Sequence, residues 1–149
     1  MKKLKIVLSV LAVLVLAIAP VFLIAQDRPS PTAEAKTLRA IIHVNFADPD
    51  QQGHGLTNVK NMLKEINGKA EIEVVCHGAG IGLVVQGQSK HSDEVAALIK
   101  QGVHFVACEN TLREKSIAKE KLLPDVDTVP SGAVEVIRKQ QAGYGYFKP

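Results

Sequence analysis

Residues 103–112 read VHFVACENTL, an apolar run that ends in Cys108 and passes at once into Glu109, Asn110 and Thr111. A β-strand gives way to a helix there. Asn110 or Thr111 is placed to cap the helix, and Thr111 with Glu114 fits a capping box. The same punctuation recurs on either side. Residues 71–77, EIEVVCH, form a second strand, followed by GAGIGLVVQG as a short helical segment and by a helix that Ser92 caps and Gly102 ends. Residues 38–46, LRAIIHVNF, form the first strand. After it, Asp48, Pro49 and Gln51 make a helix start, with Gln51 completing a capping box, and Leu56, Val59, Leu63 and Ile66 continue at helical spacing up to Gly68. Downstream, DVDTV is a short fourth strand. A helix capped by Ser131 turns Val134 and Ile137 to the core, and YGYFK is an edge strand. Strands alternating with helices specify a parallel sheet covered on both faces, an α/β fold.

In such a sheet, chemistry collects where the strands end. Those ends are Asn45, then Cys76 with His77, then Cys108 to Thr111, then Pro130 to Gly132 with Ser131 between them. Backbone N–H groups at a helix start favour an anion, so a thiolate at Cys108 is stabilised and its pKa falls below the free value of roughly 8.5. Glu109 opposes this if its side chain turns inward. Two other readings stand beside the working thiol. Cysteine is among the most buried residue types, so Cys108 also suits a core filler. The chain has two cysteines, and Cys76 closes what is expected to be a neighbouring strand, so a disulfide or a redox pair with Cys76 as resolving partner is a third reading.

Other chemistries are poorly supported. His43, His54, His77, His91 and His104 show no ligand spacing, so no metal site is expected. His77 at its strand end is in reach of Cys108 as a base or ion-pair partner. GAGIG has Leu83 where a dinucleotide loop needs its third glycine, and GLVVQGQS has Gln88 where a phosphate loop needs lysine. Both are turn glycines that pack a helix on the sheet, and no cofactor is called for. SIAK lacks the partner motifs of a serine acyl enzyme.

Residues 1–25 form a separate element. Lys2, Lys3 and Lys5 precede an apolar run of 20 residues, 6–25, broken only by Ser9 and Pro20. This is an export signal, cleaved or retained as a membrane anchor. Residues 26–36 are a polar linker, and 37–149 are the folded domain. Removing the three lysines from the 18 basic residues leaves 15 against 15 acidic ones, so the exported part has no basic surplus for nucleic acid. Contact with a membrane is expected only through the N-terminal segment, if it is uncleaved.

HVN followed by DP, then HGAGI, GVHFVACENTL and VPSGAVEVIRKQQAGYGYFKP, in this order over residues 43–149, resemble the DsrE/DsrF-like family in its exported branch. The resemblance implies a three-layer α/β/α sandwich on a five-stranded, mostly parallel sheet. It also implies homo-oligomers, often trimers or hexamers. Cytoplasmic members take part in sulfur relay, in which a cysteine carries a persulfide between a donor and an acceptor protein. By resemblance Cys108 is the functional cysteine, a sulfurtransferase-like carrier or a binder of thiol-reactive small molecules. Asn45, His77, Glu109, Asn110, Thr111 and Ser131 then line its pocket. Cys76 stands where the family pattern suggests a small or hydroxyl residue. A non-enzymatic oligomeric binding module is the alternative function.

Overall fold

The central strand, β2 (Ala70–Cys76), is buried from Ile72 onward and takes a neighbour on each side. The computed structural model describes residues 37–66 and 69–149. The expected export segment and linker, and the helix stop at Gly68, lie outside the described residues. Around β2 the chain sets β1 (Leu38–Val44), α1 (Pro49–Glu65), α2 (Ser92–Lys100), β3 (His104–Cys108), α3 (Glu109–Glu114), β4 (Asp127–Val129), α4 (Gly132–Gln141) and β5 (Gly145–Phe147). A 3₁₀ segment, Gly78–Val84, follows β2, and another, Lys119–Lys121, precedes β4. The sheet order is β4-β3-β2-β1-β5 and every pairing is parallel. This is the expected α/β sandwich.

Local chemistry explains most of the boundaries. Asp48 Oδ1 accepts from the Gln51 N–H at 2.7 Å, and Pro49 opens α1. The capping box is not completed, because the Gln51 side chain donates to the Pro149 carbonyl instead. Ser92 is the first residue of α2 rather than its cap; His91 holds the cap position, and no side chain bonds there. Of the GAGIG glycines only Gly80 packs closely on the sheet; a Cβ on Gly78 would meet nothing within 4 Å, and one on Gly82 would meet Gln88. A Cβ on Gly80 would lie 2.3 Å from the Val44 carbonyl oxygen, so only glycine lets this turn cross the end of β1.

The two faces of the sheet are unequally covered. One carries the main core: Ile42, Ile72, Val74, Phe105 and their neighbours against α1, α2 and the first 3₁₀ segment. Each fully buried aliphatic or phenyl side chain contributes about 1.5–3 kcal/mol there. The other face holds a small cluster of Ile41, Val75, Val106 and Val136, and α4 supplies its helical part. The expected inward face of this helix is corrected. Val136 is buried, whereas Val134 and Ile137 are 43% and 55% exposed. Gly132 and Val136, four residues apart, make the contact stripe, and it is narrower than the apolar pattern suggests.

Polar atoms fix the far end of α4. Glu73, in the middle of β2 and 3% exposed, accepts from Lys139 of α4 at 2.6 Å and lies 3.0 Å from His104 Nδ1. Burial opposes the charge on Lys139, but Glu73 outweighs it and raises the Lys139 pKa. Replacing Lys139 by Met removes the cation and leaves the Glu73 carboxylate buried. The expected loss, read from denaturant unfolding, is about 3–5 kcal/mol.

Candidate functional site

Cys108 is the last residue of β3 and the cap-position residue of α3. Two helix starts converge on its sulfur. The backbone N–H of Gly132 reaches it from the start of α4. The hydroxyl and N–H of Thr111 and the N–H of Asn110 reach it from α3. Burial is the largest single influence and pushes the thiol up, but these four donors together outweigh it and hold Cys108 below its ordinary value. The Asn110 N–H also lies 3.3 Å from the Pro130 carbonyl, which ties the β3–α3 junction to the turn before α4.

Thr111 does not cap α3 as its capping-box pattern suggests. It sits inside the helix, 5% exposed, and its Oγ1 accepts from the Gly78 N–H at 2.9 Å. A hydroxyl that accepts from one side has its proton free for another acceptor, here the Cys108 sulfur. Gly78 thus orients the donor that Cys108 uses, and the sequence pattern gave no sign of this link.

Gly132 holds the site together sterically. A Cβ there would lie 3.0 Å from His77 Cβ and 3.2 Å from Val75 Cγ1. With no side chain, the first turn of α4 rests on β2 while its N–H points at Cys108. His77 and Cys108 flank this glycine. Val75 pairs with Val106 and Cys76 with Ala107, so the next positions, His77 and Cys108, continue the same alignment on one face. Among the described residues no hydrogen bond joins the two. His77 Nε2 instead lies 2.5 Å from His43 Nε2, and His43 Nδ1 lies 2.7 Å from Tyr146 Oη. His43 and Tyr146 were not foreseen. Parity places His43 on the face of Ile41, but the meeting with Tyr146 requires β5 to add beside β1.

The other expected residues separate. Glu109 turns away from the sulfur. Its carboxylate lies 2.5 Å from Lys119 and 2.8 Å from the Thr128 hydroxyl, and these hold it below the ordinary carboxylate range. Its charge therefore does not oppose the thiolate. The Asn110 side chain pairs with Arg113 at the surface, so only its backbone serves the site. Ser131 holds the cap position of α4 without a side-chain bond, and its carbonyl accepts from the Glu135 N–H at 3.0 Å. Asn45 follows β1, half-buried, beside Gly80.

The alternative reading of Cys76 and Cys108 as a disulfide or redox pair is not favoured by their placement. Both thiols are free. Cys76 aligns with Ala107 and belongs to the main core, whereas Cys108 is one residue further along and faces the opposite layer. Alternate residues of a strand point to opposite faces, so a bond between them would have to pass through the sheet. Cys76 has no exposed surface, and burial pushes its thiol up, while Cys108 retains 4% exposure.

The model of the DsrE/DsrF-like family matches residues 20–149. Among solved structures, the protein of unknown function MTH1491 from Methanobacterium thermoautotrophicum is 33% identical, with a TM-score of 0.72 over 75% of this chain and 99% of that one. The ychN protein from E. coli, 13% identical, superposes with a TM-score of 0.65 over the same shares and has the same fold. No curated protein matches.

The two thiols predict different reactivity. Alkylation with iodoacetamide, followed by peptide mass, is expected to modify Cys108 and spare Cys76 in the folded chain. The midpoint of its pH dependence should fall below that of an ordinary thiol. Thr111→Val removes one donor and should raise that midpoint.

Proposed function

Since this chain belongs to the DsrE/DsrF-like family, whose cytoplasmic members take part in sulfur relay, we propose that Cys108 carries sulfane sulfur as a persulfide. The observation that carries the reading is the set of four N–H and O–H donors around one sulfur. They stabilise the thiolate that attacks a sulfur donor. They also stabilise it as the leaving group when an acceptor takes the sulfur on. Cys76 has no part in this. A carrier that forms and breaks one S–S bond at a single thiol needs no cofactor and no resolving cysteine.

The protein acts outside the cytoplasm in this reading, with residues 6–25 either cleaved or kept as an anchor. The support is the basic start and the apolar run that follows it. It works as a homo-oligomer, a trimer or hexamer. The support is α4, which leaves Val134 and Ile137 exposed.

Two measurements test the proposal. The chain is treated with a sulfane sulfur donor and its intact mass recorded. One added sulfur atom is expected on the wild type and none on Cys108→Ser. An adduct that persists in Cys108→Ser refutes the carrier role. Separately, light scattering should give a multiple of the chain mass, and Ile137→Asp should shift it toward the monomer. A monomeric wild type refutes the oligomer.

A further inference from the structure

The His43 and His77 rings meet end to end. Their planes differ by 11° and their centroids are 4.8 Å apart, with 2.5 Å between the two Nε2 atoms. The centroid separation exceeds the nitrogen separation by about the two ring radii, so both nitrogens lie on the line between the centroids. This is a head-to-head, in-plane contact and not face stacking. A tetrahedral metal ion held by both would need the nitrogens about 3.3 Å apart. The observed gap has room for one proton.

A neutral imidazole carries one N–H, so the pair shares a single proton in one of two patterns. In the first, His77 Nε2 donates to His43 Nε2, and His43 Nδ1 donates to Tyr146 Oη. In the second, every bond reverses: Tyr146 donates to His43 Nδ1, His43 Nε2 donates to His77 Nε2, and His77 Nδ1 carries the proton. His77 Nδ1 has no partner among the described residues. At the other end Tyr146 is 45% exposed. Passing from the first pattern to the second takes up a proton at His77 Nδ1 and releases one from the tyrosine hydroxyl to solvent.

We propose that Tyr146, His43 and His77 form a proton relay that serves sulfur transfer at Cys108, carrying the proton of an incoming thiol to the surface. This rests on Cys108 being the sulfur carrier. The acceptor thiol gives its proton to His77 Nδ1, and its sulfur attacks the outer sulfur of the Cys108 persulfide. A new S–S bond forms, and the bond to Cys108 breaks. The electron pair stays on Cys108 as a thiolate, received by the donors from Gly132, Thr111 and Asn110. The outer sulfur leaves on the acceptor as its persulfide, and no external oxidant or reductant enters. Neutral rings suit this work. Burial lowers both histidines first, followed for His43 by the charge of His77, and Lys148 adds to both. Tyr146 and Lys148 face the pair from β5 and the segment after it, Cys108 lies across Gly132 from the end of β3, and Gly132 brings no charge.

The test is transfer from the sulfur-loaded chain to β-mercaptoethanol, followed across pH. The wild type should show an acid limb set by a histidine. His77→Gln and His43→Gln, compared with the wild type at equal sulfur loading, should lose that limb and transfer about 10²-fold more slowly at neutral pH. The deficit should shrink at alkaline pH, where the acceptor ionises unaided, and added imidazole should restore part of the His77→Gln rate. If His77→Gln is too disturbed to load, His43→Gln reads the same limb without touching Gly132. A loaded variant with an unchanged profile overturns the relay alone. A wild type that never takes up sulfur overturns the carrier reading, and the relay falls with it.

Discussion

The carboxyl edge of the sheet depends on the missing side chain at Gly132. Any Cβ there would press on both His77 and Val75. The helix would then have to lift off β2, and its first N–H would leave the Cys108 sulfur. The glycine therefore sets two things together: the closeness of α4 to the sheet and the strongest of the donors that oppose the cost of a buried thiolate. A larger residue would keep the fold class and lose the site, because the donors come from backbone whose position is set by packing.

A second constraint acts through parity. In the parallel pairing of β2 with β3, Cys76 is level with Ala107, and Cys108 is one step beyond. That single step sends one cysteine into the thick layer and the other toward α4. Their chemistry diverges accordingly. Cys76 lies in the hydrophobic main core, where burial is the one influence on its thiol and acts unopposed. Cys108 meets the starts of two helices, whose first N–H groups have no partner within their own helix. The same parity puts His43 and His77 on the side of Cys108, so the polar chain and the thiol share one face.

Much of this was legible in the sequence, for reasons of local chemistry. The strand–helix alternation, the boundary at Cys108 and the start of α1 at Asp48 and Pro49 each rest on residues close together in the chain. Gly53 and Gly55 inside α1 have a tertiary cause: a Cβ on Gly53 would lie 2.9 Å from the His91 ring, and one on Gly55 2.9 Å from the Pro149 ring. What was not legible depended on register or on competition. Each strand's own alternation was readable, but the offset between β2 and β3 was not, and it decides against the cysteine pair. Thr111 fits a capping pattern that a backbone N–H from another segment, Gly78, overrides. The Val134 and Ile137 stripe reads as core in the sequence because helical spacing says that residues share a face and not what covers it. Tyr146 joins His43 only because β5 pairs with β1, far away in sequence.

The helix that supports the site is fixed at both ends, and the spacing of its anchors matches that of the strand beneath. From Gly132 to Lys139 is seven residues, about 10 Å along a helix at 1.5 Å per residue. From His77 back to Glu73 is four residues, about 13 Å along a strand at 3.3 Å per residue. α4 thus starts against His77 at the carboxyl edge and reaches Glu73 with the flexible stem of Lys139, while Val136 fills the space over Val75. The ion pair holds the helix from sliding along the strand, and the glycine contact holds it from rising. A short helix with one fully apolar contact would have a loose first turn without both. With both, the Gly132 N–H stays aimed at Cys108, so a buried carboxylate in the middle of β2 helps to hold the thiolate at the carboxyl edge of the sheet.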